Sequence, residues 1–153
     1  VKPSLSLLDS KVQWVDDDLQ AKLNRVFSTV GFDDRTVNII LINDSYIKDI
    51  NKKFRGKDKE TDVISFSYLQ EESFQKEDDV SGEIYISYET LTREAKRREV
   101  DIGHLFLRTA VHGLLHVIGY DHVSSAEAGK METEEKKILS QLLEKEIING
   151  LFL

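Results

Sequence analysis

The chain has 153 residues, 40% hydrophobic and 32% charged, which excludes a disordered chain and predicts a single globular domain over 1–153. Its net charge of −7 excludes general adhesion to nucleic acid or to an anionic membrane, since like charges would repel. Cysteine is absent, so disulfides and thiolate ligands are excluded and any metal falls to histidine, carboxylate or water.

The opening VKPSLSLLDS has neither a sustained apolar core nor a small-residue cleavage site, which predicts a cytoplasmic protein. Leu5–Leu8 and Lys11–Val15 compete for the role of an edge strand. From Asp16 to Val30, Leu19, Leu23, Val26, Phe27 and Val30 recur at spacings of three and four, an amphipathic helix that Gly31 closes. Thr36–Ile42 is rich in β-branched residues and predicts a strand buried on both faces. Even this apolar run is far too short to span a bilayer. Asn43 or Asp44 then caps a helix through Ile47, Ile50 and Phe54, ending near Gly56.

Thr61–Tyr68 alternates β-formers with small polar residues and predicts a strand. After an acidic loop at 70–80, Gly82–Ser87 predicts another. Ser87 can cap a helix to about Glu99. Asp101 can cap the next, Ile102–Ile118, whose apolar residues surround it almost completely and mark it as a core helix. Gly119 ends it. Ser124 to Glu127 matches a capping box, opening a long polar helix with Met131, Ile138, Leu142 and Ile147 facing inward. With Pro3 as the only proline and no repeat or linker, these elements predict an α/β (α+β) domain. About four strands form a small mixed sheet, packed with about five helices.

Charge is unevenly spread. Residues 48–59 hold six basic and two acidic residues, a local +4, and residues 93–98 hold four and one, a local +3. An acidic chain can therefore still present a cationic face. Equally, either run could be an ordinary solvated helix surface.

Three of the four histidines fall in one segment, His112-Gly-Leu-Leu-His116-Val-Ile-Gly119-Tyr-Asp-His122. Residues i and i+4 lie about 40° apart around a helix, so His112 and His116 share a face. Gly119 can adopt positive φ and turn the chain, returning His122 toward the pair. Three imidazoles with a fourth position left to water describe an open tetrahedral zinc site, although imidazole also suits other divalent transition metals. Such a site lies at the end of the core helix. A pair of buried histidines could instead satisfy backbone carbonyls, but so apolar a helix offers few partners. His104 reads as a surface or capping residue.

The spacing matches that of the metzincin peptidases, H-E-x-x-H-x-x-G-x-x-H, yet Gly113 stands where their general-base glutamate belongs, which disfavours peptidase chemistry. The full string HGLLHVIGYDH resembles the signature of the YbeY family. Asn51 to Phe66 is similar to that family's second motif and Gly82–Ser87 to its third, in matching order, so the resemblance covers essentially the whole chain. Glu60 and Ser67 stand where prolines are expected, which bears on the rigidity of the turns beside the 61–66 strand. The resemblance implies a metal-dependent single-strand endoribonuclease of ribosomal RNA maturation and late ribosome assembly, working on rRNA and the ribosomal subunit, with neither DNA nor membrane as partner. It implies His112, His116 and His122 as ligands of one ion, Arg55 as the important arginine, and a metal at the base of a cleft.

Chemically, Arg55 would clamp the scissile phosphate, and Lys52, Lys53, Lys57 and Lys59 would track the strand. Asp121 and Asp62 are both possible general bases, Asp121 being the better candidate for a turn or for orienting an imidazole. Tyr120 is a packing residue or a hydrogen-bonding neighbour of the metal. A different class of reading keeps the metal structural and makes the chain an assembly factor that grips rRNA or a ribosomal protein.

Overall fold

The computed structural model describes residues 4–7 (backbone only), 12–32, 34–69, 80–120 and 124–153. Four strands, β1 (Ser4–Leu7), β2 (Thr36–Ile42), β3 (Val63–Ser67) and β4 (Val80–Ser87), form one sheet in the order β1-β2-β4-β3. β1 and β4 both run parallel to β2, whereas β3 pairs antiparallel with β4 and forms an edge. Six helices are described: α1 (Asp17–Thr29), α2 (Asp44–Arg55), α3 (Tyr88–Arg98), α4 (Ile102–Ile118), α5 (Ser125–Leu139) and α6 (Lys145–Leu151). The expected mixed sheet and α+β class are borne out.

Strand alternation divides the core in two. Val37, Ile39, Leu41, Ile84 and Ile86 face α1, α3, α4 and α5 in the main cluster. Ile42 and Ile64 face α2, meeting Ile47, with Phe66 and Tyr85 at the margin. β2 is therefore not equally buried on both faces, as its run of β-branched residues suggests. Its main-cluster positions are sealed, whereas Thr36, Asn38 and Ile40 are only partly covered because α2 reaches just part of that face.

Of the two candidate first strands, Ser4–Leu7 pairs with β2, while residues 12–16 lead irregularly into α1. Val12 and Trp14 alternate because they pack on the core without pairing; the Trp14 ring lies 5.3 Å from that of Phe106. Helix starts follow the predicted caps at Asn43, Ser87, Asp101 and Ser124, and Asp16 adds one for α1. Asp16, Asn43, Ser87, Asp101 and Ser124 each accept a backbone N–H from three residues on. The extra helix is α6: the last predicted helix breaks at Ser140–Glu144, where Leu142 N–H turns back to the Leu139 carbonyl and Leu143 buries itself. No proline or glycine marks that break. Among the described residues, no helix is long and apolar enough to cross a membrane.

α4 is the keel of the fold. Ten of its residues are buried, Phe106, Leu107 and Val111 completely. It lies close on β3 and β4 because Gly113 faces them: a Cβ there would sit 2.7 Å from Ile84 Cγ2 and 3.0 Å from Ser65 Oγ. Ser67, at the end of β3 rather than in a turn, donates its hydroxyl to the Val117 carbonyl at 2.7 Å. That satisfies an acceptor in the last turn of α4, where carbonyls lack intrahelical partners.

Candidate metal centre

His112 and His116 share one face of α4, as their spacing predicts. Their Nε2 atoms are 3.2 Å apart, with ring planes at 78°. Two imidazole nitrogens each about 2.0–2.1 Å from one tetrahedral ion would be about 3.4 Å apart, so the pair fits two ligands of a single zinc-sized cation.

A third group fixes the tautomer. Glu135 on α5 is only 3% exposed, and its Oε1 lies 2.7 Å from His112 Nδ1. A carboxylate oxygen accepts, so Nδ1 carries the proton and donates it, leaving the Nε2 lone pair directed at the shared point with His116. A carboxylate on the far nitrogen is the usual means of orienting a ligating imidazole. For His112 the orienting carboxylate is thus Glu135. Glu135 was detectable only weakly: it lies four residues after buried Met131 and three before buried Ile138, a carboxylate on an apolar stripe.

Gly119 closes α4 at φ 125°, with its N–H and that of Tyr120 turning back to the Leu115 carbonyl. The predicted break is therefore present. His122 and Asp121 lie outside the described residues. Among the described residues, no third metal-binding side chain completes a cluster with the pair.

Arg55 ends α2, whose C-cap Gly56 adopts the left-handed conformation at φ 70°. It lines two cavities with the histidines. One, of about 140 Å³, is bounded by Arg55, Thr61, Asp62, Val63, Ser65, His112 and His116. The other, of about 640 Å³, is bounded by Arg55, Lys57, Ser65, Ser67, His116, Gly119 and Tyr120. The fold thus gathers Arg55 and Lys57 from the end of α2, Asp62 from just before β3 and Tyr120 from just after α4 around the pair. Ser65, which the sequence alone did not single out, and Ser67, noted there only as standing where a proline is expected, complete the walls because alternation points them toward α4 while Phe66 points away.

The remaining basic residues are dispersed. Lys53 lines a cavity on the α2 side of the sheet with Phe54, Phe66 and Tyr85, its Nζ 5.4 Å from the Phe54 ring centre. Lys52 and Lys59 line neither histidine cavity. Lys59 contributes its backbone: its carbonyl accepts Asn51 Nδ2 at 2.9 Å, so buried Asn51 pins the loop that follows Arg55. His104 is a helix-start residue whose N–H reaches the Asp101 cap at 3.1 Å.

The sequence profile of the family described as Endoribonuclease YbeY matches residues 7–143. The chain belongs to the YbeY family. It is similar to the curated protein named Endoribonuclease YbeY from Bradyrhizobium sp. strain BTAi1, with 42% identity over 125 residues, 80% of this chain and 73% of that one. It is likewise similar to that of Nitrobacter hamburgensis, 43% identical over 112 residues, 71% of this chain and 59% of its relative. Among solved structures it resembles the solution structure of TM1509 from Thermotoga maritima, with 28% identity, TM-score 0.59, and 91% and 90% of the two chains covered. The YbeY match spans every element from the end of β1 to the close of α5, so the histidine pair, Glu135 and Arg55 all fall within it.

Proposed function

We propose that this chain is a zinc-dependent endoribonuclease that cuts single-stranded RNA, with ribosomal RNA in maturation and late subunit assembly as its cytoplasmic substrate. The observation that carries the reading is the His112–His116 nitrogen pair, oriented by Glu135 and sharing a cavity with Arg55. His122 is proposed as the third ligand of the same ion. The match to relatives named endoribonucleases supports RNA as the substrate.

A divalent cation held there supplies Lewis acidity toward a phosphoryl oxygen and lowers the pKa of a water it binds. The chain's own groups do the rest. Arg55 presents a planar fork of donors that fits two phosphate oxygens and offsets charge building on them. Asp62, exposed at the rim of the small cavity, would accept a proton from an attacking nucleophile. Lys57 lines the wider cavity, where a strand would leave. Peptidase chemistry is disfavoured by packing as well as sequence: the position of the missing glutamate faces Ile84 and Ser65, with no room even for a Cβ.

The test is cleavage of an unstructured RNA by zinc-loaded protein, alongside His116→Ala and Arg55→Ala variants purified identically. Both variants should lose activity by at least about a hundredfold. Equal cleavage by all three would identify a contaminant and overturn the reading. Tight RNA binding without cleavage would favour the assembly-factor role with a structural metal.

A further inference from the structure

A second groove opens from the histidine site and runs between α3 and α4. It has a volume of about 440 Å³ and shares Asp62, Val63 and His112 with the small cavity beside Arg55. Leu91 and Leu105 also line it, and Arg97, Arg98 and Arg108 bring positive charge from both helices. The basic run at 93–98 thus divides by direction: Arg93 turns to Asp44 at 2.7 Å, while Arg97 and Arg98 line this groove.

Arg108 is the informative residue. It lies one helical turn before His112, about 6 Å along α4. Its guanidinium donates to the Leu151 carbonyl and stacks 4.0 Å from the Phe152 ring centre. These contacts orient the cation without neutralising it. Among the described residues no carboxylate comes within 4.0 Å of it, although the side chain is half-buried. Glu135, Glu132 and Asp62 act on it only at longer range, and a cation partly withdrawn from water without a contacting counter-ion favours an anionic ligand. Opposite it, Arg97 pairs among the described residues with Glu94 alone, a solvent-screened surface ion pair that a phosphate can displace. Arg98 is more constrained, held by Glu94 and by the Leu151 and Leu153 carbonyls.

We propose that this groove is a subsite for the RNA strand, taking a phosphodiester next to the scissile one between Arg97 and Arg108. The proposal rests on the histidine site being the cleavage centre, because it is the continuity through His112 that puts the groove on the strand's path. The strand then crosses the site from the Arg55–Lys57 side to the α3 side, following local positive charge on an acidic protein.

The experiment measures binding to the metal-stripped full chain, so that RNA is held and not cut, using fluorescence anisotropy with labelled oligouridylates. A dinucleotide and an octanucleotide are compared for wild type, Arg97→Gln, Arg108→Gln and Lys96→Gln, the last an exposed residue outside the groove. The octanucleotide should bind wild type more tightly than the dinucleotide. Arg97→Gln and Arg108→Gln should each weaken the octanucleotide about tenfold, lower its log–log salt slope by about 0.7, and leave the dinucleotide unchanged. Lys96→Gln should match wild type. Arg97→Gln removes only a surface ion pair, so it keeps the test sound if Arg108→Gln proves unstable. Identical octanucleotide affinity in wild type and Arg97→Gln overturns the subsite, whether or not zinc-loaded protein cuts RNA. Absence of cutting by zinc-loaded wild type overturns the ribonuclease reading instead. Inorganic phosphate, compared with chloride at equal ionic strength, should displace the octanucleotide no better; stronger displacement that vanishes in Arg97→Gln would make the groove a free-anion site and refute the strand assignment.

Discussion

Glu135 Oε1 lies 2.7 Å from His112 Nδ1, so a nearly sealed carboxylate on one helix sets the proton position of an imidazole on another. Glu135→Gln preserves shape and one acceptor but removes the charge that strengthens the hydrogen bond. Zinc affinity, measured by competition with a chromophoric chelator, should fall about 10- to 100-fold. Glu135→Leu should fall further and leave His112 free to rotate. Unchanged affinity in both would mean that the carboxylate serves packing alone.

Ser67 Oγ and the Val117 carbonyl tie the edge strand to the last turn of the histidine-bearing helix. Ser67→Ala should cost about 1 kcal/mol in urea unfolding, the net worth of one such bond. Because Ser67 also lines the wider cavity beside His116, turnover should drop more than stability accounts for. An activity loss that tracks the unfolded fraction would contradict this.

Gly113 gives two opposing effects. Alanine there gains up to about 1 kcal/mol of helix propensity. Against this, its Cβ meets the stiff, fully buried Ile84 at 2.7 Å, and overpacking of a dense core costs about 1–3 kcal/mol. Overpacking should win, so Gly113→Ala is expected to melt a few degrees lower. A higher melting temperature would show that α4 can lift from the sheet without cost.

Asp44 reports on acid sensitivity. Burial pushes its carboxyl up, but hydrogen bonds from Ser87, Thr90 and Arg93, with the Arg93 charge, outweigh burial and hold it below the ordinary carboxylate value. A depressed folded-state pKa contributes stability that is present above the unfolded value, about 3.9, and lost as pH falls through the folded one. Asp44→Asn should therefore be less stable than wild type at neutral pH. The gap in urea midpoint should close as pH drops below about 4. A constant gap across that range would rule out the linkage.

Local signals carried much of this architecture. Four N-cap residues and the positive-φ Gly56 and Gly119 were readable because caps and helix-ending glycines are written in a few adjacent side chains. The His112–His116 pair was readable for the same reason, since a helix fixes the i, i+4 geometry by itself. Glu135 and Arg108 were not, because their roles depend on how α5 and α3 dock against α4, which no local pattern encodes. The break at Ser140–Glu144 was invisible too: Leu139 and Leu143 both seek the core, and tertiary burial there overrides helix propensity. Similarly, the lysines of 48–59 read as one cationic stripe, yet Lys53 and Lys57 face different sides of the sheet.

α4 is at once the most enclosed helix and the carrier of His112 and His116. Its shape is set by Phe106, Leu107 and Val111, so capture of the proposed cation would draw on a scaffold already packed and lose little freedom of the chain. A stripped sample should keep its amide protection along this helix and reload quickly. The same coupling should make hydrophobic lesions on the buried face of α4, such as Leu114→Ala, register as defects in ion retention.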